Sequence, residues 1–381
     1  MDVNEYLKKM KEIQQNILDF IDQNDDIETN FQNLNYIFDE QKIGSNKHDL
    51  KLILHFILKI SNNQHRTACF FNKIERILKF FKNEITTYYT NFEIFNIFKG
   101  NKRIILFLIK EKIIYMNKSI ANEMTKGKYR EMKYPEYFYP EIKPFQEDLY
   151  RDINQDNFEE KREIGENDDF IFEMIRKDLV EDFISYVNKT NFSLETRFMT
   201  SIFETNSFLV KSLSTSLIEY AAFHGSIQIL QYLLFNKVEF NQSLWKFAIH
   251  GNNAEIIHLL EENKLKPDDE FLNQYLEEAI KCHHNGIANY FQNIYLQKEK
   301  YDAYFQCFKY YNFFFIENEL LHNHFSLYDL CQYEYYDLVD FILKSEDDNI
   351  NDIIILNIKK FDPIHQKLCF NRVFNLFMIK F

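Results

Sequence analysis

The sequence predicts an all-α protein in which a helical N-terminal domain precedes an α-solenoid of irregular helix-turn-helix repeats. Apolar residues recur at steps of three and four along most of the chain, and the first half shows no clean alternation of period two. Only 7 glycines and 5 prolines occur among 381 residues, which is typical of nearly continuous helix. Similar segments also recur at intervals of about 27 to 31 residues in the second half.

Residues 1–132 are predicted to form the N-terminal helical domain. Its first helix shows an apolar seam at alternating steps of three and four, made by Val3, Tyr6, Met10, Ile13, Ile17 and Phe20. We expect this helix to pack on its neighbours. The alternative is a dimerising coiled coil, although fewer than three heptads is short for an independent one. Further helical periods follow at about residues 48–60, 68–82 and 102–115.

Residues 133–168 are predicted to be a linker. Pro135, Pro140 and Pro144 stand close together among tyrosines, and proline removes a backbone donor and disfavours helix in the residue before it. We therefore expect an extended or turned segment that docks on the helices through its aromatic rings, followed by a charged loop with short helices. The alternative is a polyproline-type ligand for a partner.

Residues 169–345 are predicted to be the repeats. Each copy has a short helix with a small packing residue, a polar or glycine turn, and a second apolar-seamed helix. A pair this short cannot bury its own apolar face, so neighbouring copies must stack. The small packing residues are Ala221, Ala222, Ala248, Ala279 and Cys331. The glycines expected at or beside turns are Gly225, Gly251, Gly286 and, in a less regular unit of the first half, Gly100.

The best-formed copy resembles the ankyrin-repeat proteins. Residues 216–225 read Ser-Leu-Ile-Glu-Tyr-Ala-Ala-Phe-His-Gly, which is similar to the Thr-Pro-Leu-His-x-Ala-Ala-x-x-Gly opening of that family. The runs 250–260, 280–285 and 309–313 resemble a degenerate protist group in which an N-terminal helical domain of unknown function precedes the repeats. The Thr-Pro dipeptide is missing from every copy, which argues against regular β-hairpin fingers. The resemblance implies a non-catalytic adaptor or scaffold that binds other proteins.

We expect the partner-binding surface to lie on the first helices and the inter-repeat loops. Phe223, His250 and Lys281 occupy matching positions of the repeat, and Trp245 is of the type favoured as a binding anchor. The net charge of -13 favours a basic or mixed-charge protein partner and disfavours nucleic acid. The alternative function is a structural protein that self-associates through the 3–20 helix and the apolar C-terminal tail, residues 346–381.

The sequence shows no motif for catalysis, metal or cofactor. The glycines all stand apart, so phosphate-cradling loops and a GxSxG elbow are absent. Cys282, His283 and His284 are consecutive, whereas zinc sites normally use spaced ligands, and we expect structural roles for them. Five cysteines without a CxxC pair favour a reducing compartment. With no signal peptide and no apolar run long enough to span a bilayer, we expect an intracellular, cytoplasmic protein.

Overall fold

A computed structural model of the chain describes residues 2–64, 69–146, 156–212, 214–296, 304–316 and 327–344. Within these residues the architecture is all-α, as the sequence predicts. Two antiparallel strands of two residues each, β1 (Arg197–Phe198) and β2 (Thr215–Ser216), pair with Arg197 opposite Ser216 and Phe198 opposite Thr215. The C-terminal tail 346–381 lies outside the described residues.

The helices of the described chain are named here in chain order. The first group is α1 (Val3–Asp22), α2 (Ile27–Glu40), α3 (Lys47–Asn63), α4 (Phe70–Phe80), α5 (Lys82–Tyr88), α6 (Asn91–Phe98), α7 (Lys102–Lys110), α8 (Lys118–Met124), α9 (Gly127–Glu131), α10 (Tyr134–Tyr137), α11 (Tyr139–Ile142) and α12 (Phe158–Ile164). The second group is α13 (Phe170–Arg176), α14 (Val180–Thr190), α15 (Ser207–Lys211), α16 (Leu217–His224), α17 (Ile227–Phe235), α18 (Leu244–Gly251), α19 (Ala254–Glu262), α20 (Leu272–Lys281), α21 (Asn285–Ile294), α22 (Tyr304–Lys309), α23 (Leu327–Gln332) and α24 (Tyr336–Lys344).

The chain divides into two compact units. One comprises Met1–Ile57 with Asp302–Phe381, and the other comprises Leu58–Tyr301, so the division falls inside α3. The boundaries expected from the sequence at residues 132, 168 and 345 do not coincide with these breaks and stay predictions.

In the unit that contains α1, the predicted seam faces inward. Asp2 and Glu5 form a capping box at the helix start, and the seam residues Tyr6, Met10, Ile13 and Ile17 are buried. The helix packs on α2, on α24 and on a 3-10 turn at Phe313–Phe315. Because the seam is covered by its own unit, α1 offers no apolar stripe for a dimerising coiled coil.

In the unit Leu58–Tyr301, helix pairs stack in chain order. The first helices α13, α16, α18 and α20 each pack on the next, and each also packs on its own second helix, α14, α17, α19 or α21. The small residues Ala221, Ala222, Ala248 and Ala279 are fully buried along this stack. Small side chains there permit the close approach of neighbouring first helices, which lets the short pairs share one core.

A common turn ends the first helix of each pair. The last residue of this turn adopts a left-handed conformation. The backbone N–H of the residue that follows can then bond to the carbonyl five positions before it, as in a Schellman motif. Two such bonds are Ser226 N to Ala221 O at 2.9 Å and His284 N to Ala279 O at 3.0 Å. The left-handed residues at this position are Asp178, Gly225, Asn252, His283, Tyr311 and Glu334.

Only one of the four expected turn glycines fills that left-handed position. Gly225 does, with φ of 73°, whereas Gly251 is the last residue of α18 and the left-handed residue is its neighbour Asn252. Gly286 is the second residue of α21, and Gly100 lies between α6 and α7 outside the left-handed region. Gly100 and Gly251 therefore lie at or beside turns without being left-handed, Gly251 also at a close approach of two helices, whereas Gly286 lies inside a helix.

The proline-containing stretch is helical, so the expectation of an extended or turned segment is wrong. Pro135 lies in α10, Pro140 in α11 and Pro144 in a 3-10 turn, each in the first turn of its element. The missing N–H of proline costs nothing there, because first-turn N–H groups have no partner within the helix. Tyr134 and Tyr137 are buried, and their hydroxyls donate to backbone carbonyls.

Candidate functional site

The side chains expected to contact a partner lie mostly in the interior. Phe223, Trp245 and His250 are buried, and Lys281 is only slightly exposed. The indole of Trp245 packs edge-on against Phe291, with ring centroids 5.8 Å apart. The expectation that Phe223, Trp245 and His250 are available to a partner is therefore wrong.

The first helices α16 and α18 are covered because an aromatic residue of α15 and the end of α3 pack over them. Phe208 of α15 stacks on the His250 ring at 3.9 Å and packs edge-on against Phe247 at 4.8 Å. The backbone carbonyl of Asn63, the last residue of α3, contacts His250. Every residue of α16 is buried as a result. The hydrophobic period of the sequence predicted which helix faces pack against their neighbours. It gave no information about which residues cover the other helix faces.

The same burial brings together a cluster of three chemically different side chains, His250, Glu278 and Cys282. His250 lies in the last turn of α18, while Glu278 and Cys282 lie four residues apart at the end of α20 and so share a helix face. Their side-chain donor atoms all lie within 4.8 Å of one another. Among the described residues, this is the group of three or more His, Cys, Asp and Glu that could hold a metal ion.

The imidazole of His250 is the centre of this cluster. Its Nε2 lies 2.9 Å from Oε2 of Glu278, and its Nδ1 lies 3.0 Å from the backbone oxygen of Asn63. The sulfur of Cys282 lies beside the ring, 3.3 Å from Nδ1 and 3.7 Å from Nε2. Lys281 donates from Nζ to the same Oε2 at 2.7 Å.

Both ring nitrogens of His250 face hydrogen-bond acceptors. The carbonyl of Asn63 can only accept, so a hydrogen bond to it needs a hydrogen on Nδ1. In a neutral imidazole the other nitrogen, Nε2, would then present a lone pair to the carboxylate of Glu278 at 2.9 Å. With this tautomer, a proton or a metal ion at Nε2 bridges the ring and Glu278; with the other neutral tautomer, Nε2–H donates to Glu278 and the Cys282 thiol faces Nδ1.

The electrostatics of the cluster follow from burial and from its own charges. Burial lowers the pKa of His250, although the hydrogen bond to Glu278 opposes this effect. Burial alone would raise the pKa of Glu278, but the hydrogen bonds and charges of His250 and Lys281 outweigh it and lower that pKa to about 2. Burial raises the pKa of the Cys282 thiol well above its ordinary value. Glu278 is therefore a carboxylate at neutral pH, and Cys282 is a thiol in the absence of another cation.

The arrangement has the connectivity of a cysteine nucleophile with its base and orienting carboxylate, but it lacks the conditions for that chemistry. A nucleophilic cysteine needs a lowered pKa and access to substrate, whereas Cys282 is fully buried with a raised pKa. A cavity of about 140 Å³ lies elsewhere in this unit, and the residues that line it include no cysteine or histidine: Lys102, Glu131, Met132, Lys133, Met199, Thr200, Ser201, Val210 and Ser212. The cluster suits an ion pair or a metal ion better than a nucleophile.

Inspection of adjacent residues in the sequence could not find this cluster. Its members are separated by one repeat, since His250 precedes Glu278 by 28 residues and Cys282 by 32. The first separation lies within the repeat interval of about 27 to 31 residues, and the second is one residue longer. Placing chemically reactive residues in the repeat register, rather than along the chain, would have brought the three together.

Several apolar side chains of the stacked helix pairs are exposed, among them Phe170 at the start of α13, which is 60% exposed. Phe235, the last residue of α17, is 86% exposed, the largest value among the large apolar side chains of the described chain. Phe240 follows in the loop to α18 and is also exposed, and Ile294 ends α21 with an exposed side chain. We call Phe235 and Phe240 the loop aromatics. They were not singled out in the sequence.

Comparison with protein-family models, curated proteins and solved structures returns no match. Among the described residues, no helix combines the length and apolarity required to cross a bilayer.

Proposed function

We propose that this chain is a non-catalytic protein-binding module, an adaptor or scaffold built from degenerate ankyrin-type helix pairs. The observation that carries the proposal is the pair of loop aromatics, Phe235 at 86% and Phe240 at 36% exposure, which protrude from the loop between two stacked helix pairs. An aromatic side chain that is 86% exposed contributes almost nothing to folding, and such residues are favoured anchors in interfaces.

The inter-repeat loops also carry the charges that a mixed-charge partner would meet. Lys237 and Glu239 are exposed between the two loop aromatics. The next loop, after α19, exposes Lys264, Lys266 and the acidic run 268–270. Together with the net charge of -13, this pattern favours a basic or mixed-charge protein partner whose binding weakens with added salt.

Self-association through α1 receives less support. The apolar seam of that helix is buried within its own unit, so a second copy would find only its polar face. The C-terminal tail, which is the other element of that alternative, lies outside the described residues. For location, we propose the cytoplasm, because a reducing compartment preserves the thiol of Cys282.

The proposal is tested by replacing both loop aromatics with serine, Phe235→Ser with Phe240→Ser. Tyr36→Ser is the matched control, because Tyr36 is an aromatic residue 68% exposed on α2, in the other unit. Tagged full-length chains are expressed in the native cells, and the bound proteins are quantified by mass spectrometry. The interaction is then measured by calorimetry with the purified partner.

We expect the double variant to lose affinity by at least about 30-fold, the effect of truncating an anchor worth about 2 kcal/mol. The Tyr36 variant should retain the partner. Equal recovery by all three chains would contradict the proposed surface. Sedimentation tests the alternative separately, since a wild-type dimer that is lost when residues 1–25 and 350–381 are removed would indicate self-association instead.

A further inference from the structure

We propose that His250, Glu278 and Cys282 form a binding site for a zinc-class divalent metal ion. This site joins the last turn of α18 to the last turn of α20, two neighbouring first helices of the stack. It is independent of the loop aromatics and of the protein-binding proposal.

The spacing of the donor atoms fits four-coordinate geometry. With bonds of about 2.0 to 2.3 Å, the ligand atoms of a tetrahedral Zn²⁺ lie about 3.2 to 3.8 Å apart. Here Nε2 of His250 lies 3.7 Å from the sulfur of Cys282 and 2.9 Å from Oε2 of Glu278. The sulfur lies nearer to Nδ1, at 3.3 Å, than to Nε2, so the Cys282 side chain must rotate about its Cα–Cβ bond and the carboxylate must turn to admit the ion.

The surroundings of His250 suit a metal at Nε2. A metal-binding histidine usually donates its other ring N–H to a carbonyl or carboxylate, which orients the ring. The Asn63 carbonyl 3.0 Å from Nδ1 is placed to accept such a bond, and the stacked ring of Phe208 holds the imidazole plane. The metal would bind Nε2 on the side that faces Glu278.

The mixture of ligands identifies the class of metal. One imidazole nitrogen, one thiolate sulfur and one carboxylate oxygen suit zinc and similar borderline ions, whereas Mg²⁺ and Ca²⁺ prefer oxygen alone. When the ion binds, the thiol of Cys282 loses its proton to solvent and becomes a thiolate. The described residues supply three ligands, so a water molecule completes the tetrahedron.

Lys281 limits the affinity for the metal ion and lies at the edge of the cluster where the ion would enter. Its ammonium group lies 2.7 Å from Oε2 of Glu278, and both side chains are partly exposed while His250 and Cys282 are fully buried. The ion would enter from this edge, where the carboxylate can turn one oxygen to the metal and keep the other for Lys281.

The test is an optical titration of the chelator-stripped full-length chain with Co²⁺, followed by displacement with Zn²⁺. Co²⁺ in such a site gives a thiolate-to-cobalt charge-transfer band in the near ultraviolet and visible bands typical of tetrahedral coordination. We expect one equivalent of Co²⁺ to produce both sets of bands and Zn²⁺ to abolish them. The melting temperature of the wild-type chain should also rise when Zn²⁺ is added in excess.

Variants assign the signal to the cluster. Cys282→Ser should remove the charge-transfer band, while Glu278→Gln should keep the band and weaken Co²⁺ binding at least about tenfold. Cys69→Ser is the control, because Cys69 carries an exposed thiol that adventitious metal would reach first. Its spectrum should equal that of the wild type.

The proposal is overturned if the wild-type chain shows no charge-transfer band at saturating Co²⁺, or if the band survives Cys282→Ser or disappears in Cys69→Ser. If circular dichroism shows that Cys282→Ser does not fold, the proposal is judged from Glu278→Gln. Unchanged Co²⁺ affinity in that variant, or a wild-type melting temperature indifferent to Zn²⁺, would then overturn it.

Discussion

Gly251 is the point of closest approach between the neighbouring first helices α16 and α18. A Cβ atom added there would lie 2.4 Å from the backbone oxygen of Ala222 and 3.1 Å from that of Phe223. An ordinary contact between carbon and oxygen is about 3.3 Å, so Gly251→Ala must push the two helices apart by nearly 1 Å, and no side chain can rotate away. Overpacking of this kind costs about 1 to 3 kcal/mol, set against up to about 1 kcal/mol that alanine gains in a helix.

We therefore expect Gly251→Ala to lower the free energy of unfolding by about 1 to 2 kcal/mol. Gly286→Ala is the matched control, since Gly286 also lies in a helix of the stack but has no atom within 4 Å of an added Cβ. That variant should be neutral or gain about 0.5 kcal/mol. Urea unfolding followed by circular dichroism measures both. Stability of Gly251→Ala equal to or above that of Gly286→Ala would refute the close approach of α16 and α18.

Three further predictions concern charged residues that connect elements within one unit. Asp178→Ala removes a carboxylate that accepts from two backbone N–H groups at the start of α17, each at 3.0 Å, and should cost about 1 to 2 kcal/mol in urea unfolding. Glu219→Gln removes the charge from a buried carboxylate that accepts hydrogen bonds from β1, from the start of α16 and from the serine before α18. We expect the free energy of unfolding to fall by about 1 to 2 kcal/mol. A neutral effect would show that this network does not stabilise the fold. Burial would raise the pKa of Glu334, but a histidine and a lysine beside it lower that pKa to about 2 from an ordinary value of 4.5. Its stabilisation is therefore present above about pH 5 and is lost as the pH falls towards 2, an effect on the order of 2 kcal/mol that Glu334→Gln should remove from the acid limb of a melting-temperature profile.

The sequence was informative wherever a local pattern decides the structure. The seam of α1 predicts its buried face because residues three and four apart share one side of a helix. The recurring small residues predict stacked first helices because close helix approach requires them. Both follow from neighbouring residues alone.

The remaining features depend on residues far apart in the chain. The turns were expected to be polar or to contain glycine, and their left-handed residues include Asn252, His283 and Glu334, since the bonds and packing of a completed turn outweigh a local steric cost. His250 was expected on a surface, but the carbonyl that covers it belongs to a residue 187 positions earlier. Nothing in a local period could have indicated that contact, whereas the donor cluster joins residues about one repeat apart.

X-ray absorption at the zinc edge of the metal-loaded full-length chain tests most directly whether His250, Glu278 and Cys282 converge from neighbouring helix pairs. We predict one sulfur neighbour, with nitrogen and oxygen for the rest, and loss of the sulfur neighbour in Cys282→Ser. A shell with two or more sulfur atoms, or with none in the wild-type chain, would contradict the convergence of these three side chains.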